Sequence, residues 1–431
     1  MYFQPEIETM DREALRALQL TRLKASLKRC YENVPHFHKK FDEIGFKPED
    51  LTCLEDLSKL PFLMKSDLRD NYPFGMFAVP RDQIVRYQGS SGTTGKPTLV
   101  AYTRNDLNTW SDCVARLAYS AGARPGDIAQ ISFGYGLFTG AFGLHQGLEK
   151  IGVGVIPMSS GNTEKQLMML EDMQVNLLIA TPSYAVYLSE LAREKGVADK
   201  LKLRVGLFGG EGCTAEMRAK IEENFGIMAT DNYGMSELIG PGVSGECPER
   251  CGLHIAEDHF IAEIIDPVTG EVLPEGEEGE LVITSLTKEA FPIVRYRTRD
   301  ITRLTYEKCA CGRTHARMDR VRGRSDDMLV IKGVNVFPSQ IESVLLEVPE
   351  ASANYVIIVD RKGTLDTIEV QVELNPEYMT DSVTEMEEIR KKIKQKLDSV
   401  LRIGVILTLA EHKTIARSQG KAKRVIDRRK F

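Results

Sequence analysis

Between Asp127 and Phe225 short apolar runs alternate with helix-length segments, and few folds accommodate that pattern. The runs Asp127 to Phe133, Val153 to Pro157, Leu177 to Ala180 and Leu203 to Phe208 read as strands. The segments 136–151, 163–173, 183–195 and 214–225 read as helices, the last capped by Thr214. Strand–helix alternation of this kind predicts an open parallel α/β sheet, whose ligands lie at the carboxyl ends of the strands.

Two of those ends carry chemistry. Gly209-Gly210-Glu211 ends one strand, and its glycines allow a flat ring to lie against the backbone. Tyr233-Gly234-Met235-Ser236-Glu237 ends the next; a carboxylate such as Glu237 can hold Mg²⁺ against phosphate oxygens, and Ser236 can donate to them. From about residue 258 the pattern turns into short β-runs, 260–265, 279–285 and 292–305, which read as a meander or small barrel. Within them lies Tyr296-Arg297-Thr298-Arg299-Asp300, where Asp300 is an acceptor suited to ribose hydroxyls.

The polar stretch Gly323-Arg324-Ser325-Asp326-Asp327 reads as a boundary. Two domains are predicted: 1–326, with a β-rich subdomain at about 258–322, and a small α+β domain, 327–431. At the other end, residues 11–43 read as helical on the spacing of Leu15, Leu23 and Leu27.

Ahead of the alternating region stands Ser90-Ser91-Gly92-Thr93-Thr94-Gly95-Lys96-Pro97-Thr98, between two β-like runs. Hydroxyls, free backbone N–H groups and a cation suit the oxygens of a polyphosphate. The order is not that of a Walker-type P-loop: Ser90 stands where that motif needs its first glycine, and Pro97 follows the lysine. A loop closing over phosphates is predicted.

At 431 residues the chain is too long for one core, and its net charge of −6 gives no reason to bind nucleic acid. It has no run of about 18 apolar residues, so no membrane span is expected. The first residues lack a basic region followed by an apolar core, so no signal peptide is expected and the cytoplasm is the expected compartment. Cysteines in such a chain need an explanation other than disulfides. Four fall in Cys247-Pro-Glu-Arg-Cys251-Gly-Leu-His254 and Cys309-Ala-Cys311-Gly-Arg-Thr-His315, which favours a tetrahedral, structural Zn²⁺ site. Cys247, His254, Cys309 and Cys311 are the preferred ligands, with Cys251 and His315 in reserve.

These segments together, with the terminal Arg417-Ser418-Gln419-Gly420-Lys421, resemble in order the motifs of the adenylate-forming (acyl-CoA synthetase) superfamily. The phrases Tyr-Gly-Leu-Phe-Thr-Gly, Gly-Leu-His-Ile and Gly-Val-Asn-Val-Phe-Pro-Ser-Gln-Ile-Glu are similar to its phenylacetate–coenzyme A ligase branch. So is Arg299, where most of the superfamily has glycine, and cysteine-bearing members of the branch are similar in the four preferred zinc ligands. Ala416 departs from the commoner proline.

The resemblance implies two half-reactions. A carboxylic acid, phenylacetate first among aryl acids, attacks ATP to give an acyl-adenylate and pyrophosphate, and coenzyme A then displaces AMP. It implies that Ser90, Ser91, Gly92, Thr93, Thr94, Gly95 and Lys96 hold the β- and γ-phosphates, with Glu211 and Tyr233 at the adenine. Gly210, Asp231 and Gly234 belong to the same nucleotide site, Ser236 meets the α-phosphate, Glu237 holds Mg²⁺, and Asp300 with Arg324 holds the ribose. Lys421 reaches in from the small domain for adenylation, and Asp326 is the hinge. Tyr135, Phe138, Phe142 and Ile239 are the expected aryl pocket. Transfer to a carrier-protein thiol, a phosphotransferase and a zinc-stabilised nucleotide-binding regulator stay open as alternatives, and so does a homodimer.

Overall fold

The computed structural model describes residues 2–90, 98–325, 329–331, 334–362, 365–380, 382–401, 403–416 and 424–429. Ser91, Gly92, Thr93, Thr94, Gly95, Lys96, Asp326 and Lys421 lie outside the described residues.

The predicted alternation is present and builds the centre of a nine-stranded sheet. Its parallel strands run in the spatial order Met228–Met235, Val205–Gly209, Leu177–Ala180, Ile128–Ile131, Gly154–Ile156. The chain passes from Ile128–Ile131 to one neighbour, Gly154–Ile156, and then returns to the other side, Leu177–Ala180. The strand order therefore reverses at Ile128–Ile131, the kind of position beyond whose carboxyl ends open α/β sheets leave room for ligands. The crossover helices are Thr139–Ile151, Thr163–Asp172, Pro182–Glu194 and Ala215–Phe225.

Local chemistry sets these elements. Thr103 and Asp106 form a capping box at the start of the helix Arg104–Ala121, and Thr214 accepts from Met217 N at 3.2 Å to cap Ala215–Phe225. The glycine-rich helix Thr139–Ile151 packs directly on Arg104–Ala121: a Cβ at Gly143 would stand 2.3 Å from Trp110, and one at Gly147 2.3 Å from Val114. Trp110 in turn stacks on Tyr102, centroids 4.9 Å apart, deep in the main core.

Three features differ from the sequence expectation. The 11–43 stretch is two helices, Arg12–Asn33 and Pro35–Glu43, because the residue before a proline is pushed out of the helical region; Val34 is extended. The large sheet also continues beyond its parallel part through antiparallel Gly240–Glu246, Leu253–Ile255, Arg317–Met318 and Leu304–Thr305. Two of those short strands come from the range expected to form the β-rich subdomain. That subdomain is a four-stranded antiparallel sheet, Phe260–Ile265, Gly279–Ser285, Tyr296–Thr302 and Gly323–Arg324, so it ends just past residue 322.

Residues beyond 328 form their own apolar core, from Leu329 to Leu407. It lies under a sheet ordered Ile406–Ala410, Leu365–Leu374, Ala351–Lys362, Val425–Asp427, with the helices Pro338–Leu346 and Val383–Leu401 packed against it.

Candidate active site

Strand pairing brings the first group together. Asp300 and Arg324 are direct partners across an antiparallel pair, and Arg324 Nη1 donates to Asp300 Oδ1 at 3.3 Å. Tyr233, on the large sheet, donates its hydroxyl to Asp300 Oδ2 at 2.6 Å. Burial, reinforced by the Asp300 carboxylate, pushes the Tyr233 hydroxyl well above its usual range, so it remains a donor. Asp300 reaches this position through an irregularity: Glu280 pairs with Ile301 but Val282 with Arg297, so the strand Tyr296–Thr302 bulges between them. Within the bulge Arg299 has a φ of 69°, the left-handed region that favours glycine. Its guanidinium lies 3.3 Å from the fully buried Glu280, which also binds Arg297 and Ser325.

Glu237 follows the strand Met228–Met235, which turns sharply into Gly240–Glu246. A Cβ at Gly234 would lie 1.8 Å from the Gly240 carbonyl oxygen, so this hairpin admits only glycine there. Glu237 is buried, and among the described residues its Oε1 has no hydrogen-bond donor; Lys65 faces that oxygen from 3.6 Å. Ser236 Oγ lies 3.1 Å from Thr139 Oγ1, at the start of a crossover helix. Beneath the turn Lys288 Nζ donates to the Glu237 carbonyl at 3.1 Å and to that of Leu238. Burial drives the Lys288 amine down to about 7. Sequence reading missed Lys65, Lys288 and Glu280: a lone lysine or glutamate in an ordinary segment carries no motif.

At the end of Val205–Gly209, Gly210 has a φ of 83° and Glu211 Oε1 accepts from Ser183 N at 2.8 Å. Asp231 is buried beside Glu246, whose carboxylate binds Arg218 at 2.5 Å and Arg320 at 3.3 Å. Burial first, then Glu246, pushes the Asp231 carboxyl up to about 7.

The expected aryl-pocket residues divide. Tyr135 and Phe142 meet edge-to-face at 5.2 Å, and Tyr135 OH lies 2.9 Å from His145 Nδ1. Phe138 packs near Phe133 at 6.5 Å, and Ile239 borders a small cavity with Tyr102 and Lys288. At the loop expected to close over phosphates only the base is described: Ser90 N donates to Thr98 O at 3.0 Å, closing the hairpin formed by Arg86–Gly89 and Leu99–Tyr102.

Cys247, His254, Cys309 and Cys311 converge, with their donor atoms all within 4.8 Å of one another. Cys247 Sγ and Cys309 Sγ are 3.8 Å apart, and Cys311 Sγ lies 3.4 Å from His254 Nε2. A tetrahedron with Zn–S of about 2.3 Å and Zn–N of about 2.0 Å has edges of roughly 3.8 and 3.5 Å, so this donor set fits zinc. Hydrogen bonding from Cys247 first, then from His254 and Arg313, favours the thiolate at Cys311. Of the two reserve ligands, Cys251 Sγ accepts from Arg317 at 2.7 Å and lies 3.5 Å from Cys309 Sγ, at the edge of the cluster, and His315 Nδ1 lies 2.9 Å from the Ile255 carbonyl.

The AMP-binding enzyme family matches residues 38–287, and the AMP-binding enzyme C-terminal domain matches residues 333–429. A 2-hydroxyisobutyryl-CoA ligase solved in the postadenylation state with its acyl-AMP superposes with a TM-score of 0.94 at 29% identity, over 99% of this chain and 92% of that one. The same ligase with CoA in its thioesterification state gives a TM-score of 0.73 over the same shares. The fold and its two matched domains thus define an adenylate-forming enzyme. The phenylacetate–coenzyme A ligase of Pseudomonas putida is 51% identical over 98% of this chain and 96% of its own. That of Thermus thermophilus is 48% identical over the full length of both. The chain belongs to the phenylacetate–coenzyme A ligase family.

Proposed function

We propose that the protein joins an aryl acetic acid, phenylacetate first among them, to coenzyme A through an acyl-adenylate, with release of AMP and pyrophosphate. The observation that carries this reading is the convergence of Tyr233, Asp300 and Arg324, in a chain about half identical over nearly its full length to phenylacetate–coenzyme A ligases. Asp300, braced by Tyr233 and Arg324, takes the ribose hydroxyls. The adenine lies along Gly210 and Glu211 beside Tyr233, in the nucleotide site to which Asp231 and Gly234 belong. Ser236 meets the α-phosphate, and the loop from Ser90 to Lys96 clamps the β- and γ-phosphates.

The chemistry needs no side-chain nucleophile. The substrate's carboxylate attacks the α-phosphorus, so the protein contributes alignment and charge neutralisation. Glu237 is suited to hold Mg²⁺: its buried Oε1 lacks a hydrogen-bond donor among the described residues and already faces a cation, the Lys65 ammonium. When bound, that ion neutralises phosphate charge. Tyr135 and Phe142, in edge-to-face contact, supply one wall of the aryl pocket and Phe138 and Ile239 separate parts of its lining, and the Cys247–His254–Cys309–Cys311 zinc site ties the 245–255 loop to the 308–312 loop.

Domains 1–326 and 327–431 meet at the hinge Asp326, about which the small domain carries Lys421 in for adenylation and away for thioester formation. The two TM-scores against one ligase, 0.94 and 0.73, support such a cycle. The test is a thioester assay over a panel of aryl and alkyl acids with ATP, Mg²⁺ and CoA. Phenylacetate is expected to give phenylacetyl-CoA, AMP and pyrophosphate. Release of ADP and phosphate, transfer only to a carrier protein, or absence of acid-dependent turnover overturns the reading.

A further inference from the structure

We propose that Lys288 is a positioning residue for Glu237, its amine fixing the backbone from which the Glu237 carboxylate projects toward the divalent cation of the nucleotide. The inference rests on the ATP-dependent reading above.

Lys288 is buried, with its Nζ 5.3 Å from the Tyr102 ring centroid and 5.0 Å from that of Phe291. A lysine in such surroundings is unfavourable unless its donors are used, and a methionine would fill the space without that penalty. Among the described residues its Nζ bonds to two backbone carbonyls, those of Glu237 and Leu238, and to no carboxylate. Without it those carbonyls would lose their donor inside the protein, which is unfavourable for any backbone oxygen.

The lysine is itself held by a second frame. Asp106, from the capping box of Arg104–Ala121, accepts from Glu289 N at 2.7 Å and Ala290 N at 3.0 Å. Thr103 Oγ1 donates to the Glu289 side chain at 2.8 Å, and Ser285 N donates to the Ile293 carbonyl at 2.8 Å. The segment bearing Lys288 is therefore braced on both sides, and through Lys288 it braces the Glu237 turn. On the far side of that turn, Trp110 Nε1 donates to the Pro241 carbonyl at 2.7 Å. Among the described residues these contacts leave the Glu237 Oε1 without a hydrogen-bond donor.

The arrangement is that of an outer group orienting a metal-binding carboxylate. Removal of such groups typically lowers metal affinity by about 10–100-fold. Calorimetry with α,β-methylene-ATP, in Mg²⁺ and separately in EDTA, isolates the metal-linked part of nucleotide affinity. Lys288→Met is expected to lose about tenfold or more of that metal-linked gain while metal-free affinity changes less than about twofold. Acid-dependent pyrophosphate exchange should fall in parallel, and thioester formation from preformed acyl-adenylate and CoA should change less than about threefold.

Equal losses with and without Mg²⁺, or no loss, overturn the inference. If Lys288→Met does not fold, Lys288→Gln, whose shorter side chain cannot reach both carbonyls, takes its place in the comparison, with a smaller loss expected in the same Mg²⁺-linked part. If neither folds, Lys288 is a structural residue and the inference also falls. Absence of acid-dependent exchange in the unmodified protein overturns the proposed function alone, because the calorimetric comparison needs no acid.

Discussion

The Tyr233 hydroxyl donates to Asp300 Oδ2 at 2.6 Å, joining a strand of the nine-stranded sheet to one of the four-stranded sheet. In the proposed ribose site Asp300 needs its carboxylate aimed, and the aim comes from Tyr233 on one oxygen and Arg324 on the other. Tyr233→Phe removes the shorter of these bonds and leaves the ring. A hydrogen bond to a charged group is worth about 1.5–3 kcal/mol, so KM for ATP should rise roughly tenfold or more. KM for the acid should change much less. Initial-rate kinetics with each substrate varied check this, and an unchanged KM for ATP contradicts it.

Zinc predicts a stoichiometry. Elemental analysis should find about one zinc per chain, and Cys311→Ala should lose it. The same variant should melt at lower temperature, because the metal joins segments some sixty residues apart, such as Cys247 and Cys309 with |i−j| of 62. Cys251→Ala should keep the metal, since the four mutually close donors are those of Cys247, His254, Cys309 and Cys311, while Cys251 Sγ accepts from Arg317. A metal-free chain of undiminished stability contradicts the assignment.

Asp231 predicts a pH dependence. Its folded carboxyl titrates near 7, pushed there by burial and then by Glu246, whereas an unfolded aspartate titrates near about 3.9. Between those values the folded protein holds a proton that the unfolded chain has lost, so stability from this group falls as pH rises through that window. Asp231→Asn removes the slope. The difference in Tm, variant minus unmodified, should become more positive from about pH 5 to about pH 8. A difference that is constant or moves the other way contradicts the assignment.

The role proposed for Lys421 separates the half-reactions. Lys421→Ala should lose adenylation by roughly 10²-fold or more, the scale for removing one charge partner of a transition state. Preformed acyl-adenylate and CoA should still give thioester. Equal loss in both steps contradicts the hinge assignment at Asp326.

Much of the parallel sheet was legible because each strand and crossover helix leaves a local period. The antiparallel extension from Gly240 to Glu246 was not. It is buried on both faces and carries glycines at 240, 242 and 245, so it shows neither the alternation nor the β-branched content of an ordinary strand. Those glycines admit Trp110, Cys113, Val114 and Leu117 from the neighbouring helix, a reason that exists only once the helix is in place.

The sequence by itself determined the residue types and their order: a hydroxyl-rich loop, a carboxylate at 237, an aspartate at 300, thiols and imidazole in two short segments. Those follow from side-chain chemistry, which is local. Tertiary structure decided the aim of each group. The bulge at Arg299 turns Asp300 toward Tyr233, the Gly234 hairpin brings Glu237 over Lys288, and strand pairing folds Cys247 against Cys309. Direction depends on contacts between segments far apart in the chain, and no local pattern encodes it.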